Sequence, residues 1–329
     1  MGMKVFAKGI FFSAIILLTV VVACVKTTST PRLTPTTSTI GQIISGATNL
    51  TILDSAMSKS GLLSMLDSMK ATGAPFTVFA PVNLAFTNAG FTDSTIYKMS
   101  KDSLRSFLSG YIYSGGGLTT ATLPPGPNAP LSMIFGNTIF CTVSGGFIYI
   151  NGHLVTQSDI IANNGVIQAL SGIYYPPAGS IWAILQNDTT LSLLYLAAVR
   201  ANQNSSNFNL DSLLADSLVT FFAPTNAAFR LTADSTISII NTIPADSLAR
   251  LITTHILRGR VFTSDFTSVF TTTDTLYSYS SDSLFVSTTF GTIQSKGDST
   301  AASLGPVNII ATNGVVHKVS QVLLPYYPF

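Results

Sequence analysis

Acid–base or metal chemistry in this chain would have to start from its histidines, since imidazole exchanges a proton near neutral pH and is the commonest metal ligand. There are three, His153, His255 and His317, each inside an apolar segment: FIYINGHLV, LARLITTHIL and NGVVHKV. A zinc set needs closely spaced partners such as HExxH, and the chain contains no glutamate, its 14 acidic residues all being aspartates. Nucleophile elbows, phosphate loops and dinucleotide fingerprints are equally absent from the sequence. The expectation is no catalytic residue, no metal and no cofactor, with the histidines buried and hydrogen-bonded.

The elements that would position any site are written twice. FTVFAPVNLAF at residues 76–86 returns as VTFFAPTNAAF at 219–229, and IGQIISGATNLTIL at 40–53 as IWAILQNDTTLSLL at 181–194. Asn164-Gly165-Val166-Ile167 likewise returns as Asn313-Gly314-Val315-Val316. A unit of roughly 145 residues is a complete domain rather than a solenoid repeat. With the seam in YYPPAGS, residues 174–180, the domains are 38–176 and 177–329. Leu104, Phe107, Leu108 and Tyr111, and again Leu248, Leu251, Ile252 and His255, stand at i, i+3, i+4 and i+7, one apolar helix face each. Asp102 and Asp246 precede those faces as expected N-caps. FTVFAPV and VTFFAPT read as short strands ended by proline, and Asn151-Gly152 between apolar runs as a two-residue hairpin. The class is α+β, short helices packed on antiparallel sheet.

The first residues have a different character. Lys4 and Lys8 precede the apolar run GIFFSAIILLTVVVAC, which is short for a membrane span, so 1–23 reads as an export signal. Val21-Val22-Ala23-Cys24 resembles the bacterial lipobox, which makes Cys24 the expected lipidation site and 24–37 a Thr/Pro-rich tether. Cys141, the other cysteine, is expected as a buried free thiol. The 16 basic residues lose Lys4 and Lys8 with the signal and then balance the 14 acidic ones, leaving no basic field for nucleic acid.

Together the strand segment Thr-Val-Phe-Ala-Pro-x-Asn-x-Ala-Phe, the Asn-Gly-Val segment and Leu-x-x-Leu-x-x-x-His-Ile-Leu-x-Gly around His255 resemble three signature segments of the fasciclin-type adhesion domain. The resemblance covers nearly all of the mature chain and implies two tandem fasciclin-like domains, each a wedge of two β-sheets with several short helices. Family members are typically secreted or surface-anchored and bind matrix, receptors or glycans. Physically, Asn83 and Asn226 suit helix N-caps, and Asn164-Gly165 and Asn313-Gly314 suit turns into a buried last strand. The resemblance also implies a candidate ligand contact at Asp159 and Ile160, where an Asp-Ile pair precedes the turn; the second copy has Asn308-Ile309. An Asp or Asn there also serves commonly to satisfy backbone donors.

A further pattern stands apart from the fold. Of the aspartates, 12 are followed by Ser or Thr and then by Ala, Leu, Met or Thr. The hydroxyls are those of Ser55, Ser68, Ser94, Ser103, Thr189, Ser212, Ser217, Ser235, Ser247, Thr275, Ser283 and Ser299. Asp-Ser is a natural helix-start and turn pair. The triplet also resembles the O-glycosylation sequon used on exported proteins by one large group of Gram-negative bacteria, and both origins stay open. The expected protein is a lipid-anchored adhesion or binding module of the bacterial envelope, of the outer membrane, with its face undetermined. Its expected partners are the membrane, through the lipid, and an extracellular protein or glycan. The alternative is an accessory envelope lipoprotein that assembles with outer-membrane proteins in nutrient capture or matrix organisation.

Overall fold

Apolar residues at helical spacing open each repeat. In the computed structural model, which describes residues 37–69, 75–204, 209–216, 218–232, 237–268, 275–287 and 291–326, α1 (Ile40–Gly46), α2 (Thr51–Ser60) and α3 (Leu62–Met69) bury Ile40, Ile44, Leu53, Met57, Leu62 and Leu66. The signal segment, Cys24, Ser217 and Ser235 lie outside the described residues. The first repeat continues with β1 (Phe76–Pro81), α4 (Asn83–Asn88), α5 (Asp93–Lys98), α6 (Lys101–Ser109), β2 (Ile112–Tyr113), β3 (Gly126–Ser132), β4 (Thr138–Ser144), β5 (Phe147–Ile150), β6 (His153–Ala162) and β7 (Gly165–Leu170).

The second repeat follows the same order. Its helices α7 (Ile181–Asn187), α8 (Ser192–Asn204) and α9 (Leu210–Asp216) precede β8 (Val219–Pro224), α10 (Asn226–Phe229), α11 (Ile237–Ile240), α12 (Ala245–Thr254) and β9 (Ile256–Arg258). Then come α13 (Asp265–Ser268), β10 (Thr275–Tyr277), β11 (Ser283–Ser287), β12 (Thr292–Ser295), β13 (Ala302–Ser303), β14 (Ile309–Ala311) and β15 (Gly314–Val319).

The expected antiparallel sheet is corrected at its centre, where each repeat holds one parallel pair. β1 lies against β7 from Phe76↔Gly165 to Pro81↔Leu170, and β8 against β15 from Val219↔Gly314 to Pro224↔Val319. Every residue of β1, β7 and β8 is buried, which is why these strands read as near-continuous apolar runs instead of alternating. The other ladders are antiparallel.

In the first repeat the sheet order is β2-β1-β7-β6-β5-β4-β3. The long strand β6 belongs to both arms of the wedge, pairing with β5 at its start and β7 at its end, and register shifts around Gln157 bend it between them. In the second repeat β13 and β14 are short and separate, so the arms part into β10-β11-β12-β13 and β14-β15-β8-β9. Its core divides accordingly, one cluster under α8 and α12 and another around Phe222, Phe266, Leu284 and Leu323.

Asn151 and Gly152 have φ of 49° and 81° and join Ile150 to His153, the left-handed pair a two-residue hairpin needs. Cys141 is a fully buried free thiol on β4, and burial pushes its pKa up to about 12. The expected N-caps Asp102 and Asp246 are corrected. The α6 cap is Ser100, whose hydroxyl accepts the Ser103 amide, and α12 starts after Pro244. Both carboxylates fall inside the first turn, where negative charge complements the positive end of the helix dipole.

Residues Pro35–Phe329 form one compact unit, and the repeats meet through side chains of both. Phe262, Ile310 and Val315 join the first repeat's core. Buried Asp265 accepts the Asn128 Nδ2–H at 2.9 Å and the Phe262 amide at 2.8 Å through Oδ2, and Thr142 Oγ1–H at 3.3 Å through Oδ1. Desolvation raises its pKa against these bonds. The Arg260 guanidinium lies 3.9 Å from the Phe140 ring centre.

The parallel pairs leave no room beside their first residue. A Cβ on Gly165 would lie 2.0 Å from the Phe76 carbonyl oxygen, and one on Gly314 1.9 Å from that of Val219. Gly165→Ala and Gly314→Ala are each expected to cost about 4 kcal/mol or more, because only backbone can yield. Urea unfolding followed by circular dichroism measures this, and a loss under about 1 kcal/mol for both would show that the strands separate cheaply.

Candidate functional site

The paired asparagines act across space. Asn83 does not cap α4, whose N-cap is Val82. Its Oδ1 accepts the Ile52 amide at 3.1 Å, and its Nδ2 donates to Thr48 O at 3.1 Å and Thr51 Oγ1 at 3.0 Å. It therefore caps α2, whose own N-cap position, Leu50, has no side chain able to do so. Asn226 does the same for α8: Oδ1 accepts the Leu193 amide, and Nδ2 donates to Thr189 O and Ser192 Oγ, all at 2.9 Å. The expectation that each caps the helix following its strand is thus corrected: Asn83 and Asn226 are the first residues of α4 and α10, and the cap positions are Val82 and Thr225. The chain turns so sharply after Pro81 and Pro224 that the amide side chain projects onto the neighbouring helix.

Asn164 and Asn313 complete the arrangement. Asn164 Oδ1 accepts the Ile40 amide at 2.8 Å, and its Nδ2 donates to Leu66 O at 3.2 Å. Asn313 accepts the Ile181 amide at 2.8 Å and donates to Leu214 O at 2.6 Å. Each thereby satisfies a free amide at the start of one helix and a free carbonyl in the last turn of another. The glycines that follow, Gly165 and Gly314, let the chain pass directly into the parallel strand.

The histidines are framework as well. His255 Nδ1 donates to Leu251 O at 2.8 Å, and Nε2 accepts the Leu323 amide at 2.9 Å. In the first repeat Tyr111 takes that place, its hydroxyl donating to Tyr174 O at 2.6 Å and accepting the Tyr174 amide at 2.9 Å. His317 Nε2 donates to Val261 O at 2.9 Å, while Nδ1 accepts the Asn308 amide at 3.2 Å. Gln168 substitutes for it, donating to Leu118 O at 2.8 Å and accepting the Asp159 amide at 3.1 Å. Burial lowers the pKa of His255 and His317 from 6.5 to about 4, so both rings are neutral near pH 7. His153, also lowered to about 4 by burial, stacks on Tyr174 with ring centres 6.4 Å apart. With both nitrogens of His255 and His317 held by backbone, neither ring is placed to shuttle a proton or ligate a metal.

Asp159 has φ of 57°, as has Asn308, a left-handed conformation that short Asx side chains tolerate. Asp159 Oδ1 accepts the Thr120 amide at 2.8 Å and Gln168 Nε2–H at 3.0 Å, and Oδ2 accepts Thr120 Oγ1–H at 2.6 Å. Asn308 accepts the Thr263 amide at 2.9 Å and donates to Thr263 Oγ1 at 2.8 Å. Ile160 packs half-buried on the first core. Asp159 and Ile160 are thus held within the wedge, with the carboxylate occupied by three donors.

The Asp-Ser/Thr hydroxyls behave differently. Ser55, Ser68, Ser94, Ser103, Thr189, Ser212 and Ser299 are exposed, Ser247, Thr275 and Ser283 are half-buried, and none of these is buried. Two surface grooves, which motif reading did not find, open beside α6 and α12. The first, about 430 Å³, is lined by Asp102, Arg105, Ser106, Ser109, Phe135 and Asn137. The second, about 300 Å³, is lined by Arg250, Ser280, Ser281, Asp282, Ser283, Lys296 and Tyr326. Asp102 and Ser283, singled out in the sequence for other reasons, line them, and each helix adds an arginine.

Comparison with known proteins agrees with this duplicated framework. The sequence matches the Fasciclin domain twice, over residues 48–176 and 194–325. It is 31% identical over 146 residues to Protein sll1483 of Synechocystis sp., an alignment covering 44% of this chain and 77% of that protein. Among solved structures it is similar to a FAS1 domain pair from the insect cell adhesion molecule Fasciclin I, with a TM-score of 0.38 and 16% identity, covering 83% of this chain and 96% of the other.

Acid stability follows from the buried histidines, His255 and His317 in the second repeat and His153 in the first. A histidine whose folded pKa is lowered contributes no penalty above its unfolded value of 6.5; below it the unfolded state takes up the proton first, and stability is lost as pH falls toward 4. At pH 4 each should cost about 3 kcal/mol. Trp182, the single tryptophan, packs on the second repeat's core and reports its unfolding by fluorescence. His317→Gln, which installs the first repeat's residue, is expected to shift the acid-unfolding midpoint to lower pH. An unchanged midpoint would mean His317 is not the titrating group.

Proposed function

Because the chain belongs to the fasciclin domain family and carries the domain twice, we propose that it is a membrane-anchored binding module of the bacterial envelope, recognising matrix, cell-surface or glycan ligands without catalysis. The observation that carries this reading is the use of the titratable side chains. His255 and His317 are spent on backbone groups, and Asp159 on the Thr120 amide and the Thr120 and Gln168 side chains, all within the wedge. Exposed hydroxyls and open surface grooves, the two beside α6 and α12 among them, are surfaces available for contact. Fasciclin domains are generally adhesion or binding modules, and rigid scaffolds with variable surfaces suit that work.

Cys24 would carry the lipid, and the Thr/Pro-rich residues after it would hold the domains away from the outer membrane. Protease treatment of intact cells reads out the face on which they sit. The exposure of the Asp-Ser/Thr hydroxyls supports O-glycosylation at these positions, since a glycosyltransferase needs them accessible. An intact mass from the native host should exceed that of the lipidated polypeptide by whole sugar increments, and equality with it would refute the modification.

Binding of the full-length chain to an array of matrix proteins and glycans tests the module reading. Capture of at least one ligand is expected. Asp159→Asn should bind equally and keep stability within about 0.5 kcal/mol, because Asn308 shows that an amide serves the same turn. Lost binding at unchanged melting temperature would instead make Asp159 a ligand contact. An empty array together with co-purification of an outer-membrane protein from native membranes would favour the accessory lipoprotein.

A further inference from the structure

The two grooves occupy the same place in the two repeats. Each lies between the helix that carries the apolar face, α6 or α12, and the tip of the following hairpin, β3–β4 or β10–β11. Asn137 and Asp282 hold matching positions, each immediately before the second strand of its hairpin. The duplicated framework thus forms one kind of cleft twice, and the lining residues give the two clefts different chemistry.

We propose that the second-repeat groove binds an acidic saccharide, taking its carboxylate or sulfate between Arg250 and Lys296. The proposal rests on the binding-module reading and assigns it a site and a ligand class. Asp282 is the groove's one carboxylate, and its side chain is only 5% exposed. Its Oδ2 accepts Thr254 Oγ1–H at 3.0 Å and Ser280 Oγ–H at 2.6 Å, and its Oδ1 accepts the Tyr326 amide at 3.0 Å. These bonds hold the hairpin tip and the final segment in place. Arg250 stays loosely paired with it, Nη2 standing 3.9 Å from Oδ1, while Arg250 Nε is shut from solvent without a hydrogen-bond partner.

The Arg250 side chain is 37% exposed where it lines the groove, and an incoming oxyanion would bond to the guanidinium there. The Lys296 ammonium sits 4.0 Å from the Tyr326 ring centre and is otherwise exposed. Two cations therefore face a single carboxylate, which leaves one positive charge in excess in the groove lining. Around them Ser280, Ser281 and Ser283 set hydroxyls along the rim, Ser281 pushed outward at a φ of 68°. An apolar ligand would strip water from the cations without replacing it. A charged, polyhydroxylated one replaces that water group by group.

The first-repeat groove is the internal comparison. There Arg105 has Asp102 on its own helix, and its guanidinium lies 5.7 Å from the ring centre of Phe135, which is 53% exposed. That cleft has one cation against one anion and no excess of positive charge.

Calorimetric titration of the unmodified full-length chain, at low and then physiological salt, tests the proposal with four probes. These are an oligogalacturonate, a sulfated heparin-derived oligosaccharide, an uncharged maltooligosaccharide and inorganic phosphate. At least one acidic saccharide should bind, more weakly as salt rises, and the first two probes tell a carboxylate from a sulfate ester. Arg250→Gln and Lys296→Gln should each weaken binding at least about tenfold, and Arg105→Gln should leave it unchanged. Lys296 is exposed, so its variant tests the site even if the Arg250 variant melts early. Equal binding of the uncharged sugar, affinity unmoved by Lys296→Gln, or phosphate matching the saccharides overturns the proposal. A chain that captures a matrix protein but none of these sugars ends the groove assignment and leaves the adhesion reading standing.

Discussion

Everything in each repeat hangs on two strands lying parallel with a glycine at their first rung. Phe76 against Gly165, and Val219 against Gly314, are approaches that no side chain permits. From that rung the buried strands run in register, and their flanking asparagines hold the ends of the helices packed on them. A parallel pair brings together segments far apart in sequence, so its loop-closure cost is large. The burial of nearly every residue in these strands offsets that cost, and the asparagine bonds remove the penalty of helix ends left bare inside the fold.

The two copies show which features of this framework are geometric and which are chemical. Thr77 Oγ1 donates to Gly116 O and accepts the Leu118 amide, and Thr220 Oγ1 repeats this with Gly259 O and the Val261 amide. Elsewhere the residue changes while the wiring persists: Tyr111 or His255, Gln168 or His317, Asp159 or Asn308. What each node requires is one donor and one acceptor at fixed points, and several side chains supply that. The choice of histidine in the second repeat brings acid sensitivity that tyrosine and glutamine do not.

The seam joins the copies with the few groups they do not share. Asp265, one of the two aspartates outside the Asp-Ser/Thr pattern, is buried where the repeats meet and takes donors from both. Asp159, the other, holds the first repeat's bulge. Aspartates followed by a hydroxyl lie mostly at helix starts and turns, with their hydroxyls outward. The separation is incomplete, because Asp282 and Asp298 carry the pattern and still serve the interior, accepting the Tyr326 amide and the Ser295 and Leu324 amides.

By itself the sequence determined the duplication, the α+β class, the buried last strand of each repeat and the Asn151-Gly152 hairpin, but not that this strand pairs in parallel with the Phe-Ala-Pro strand. These rest on local patterns of apolar spacing and on residues with few conformational options, and such patterns are written within a dozen residues. Tertiary structure alone decided that Asn83 and Asn226 cap neighbouring helices, since Asn83 reaches an amide 31 residues away and Asn226 one 33 residues away. It also decided that Asp102 and Asp246 fall inside the first turn and not at the N-cap, that Asp265 closes the seam, and that Arg250, Asp282 and Lys296 share a groove. No periodicity records such meetings, because a hydrogen bond's partner is fixed by where the packed backbone carries it and not by its neighbours in the chain.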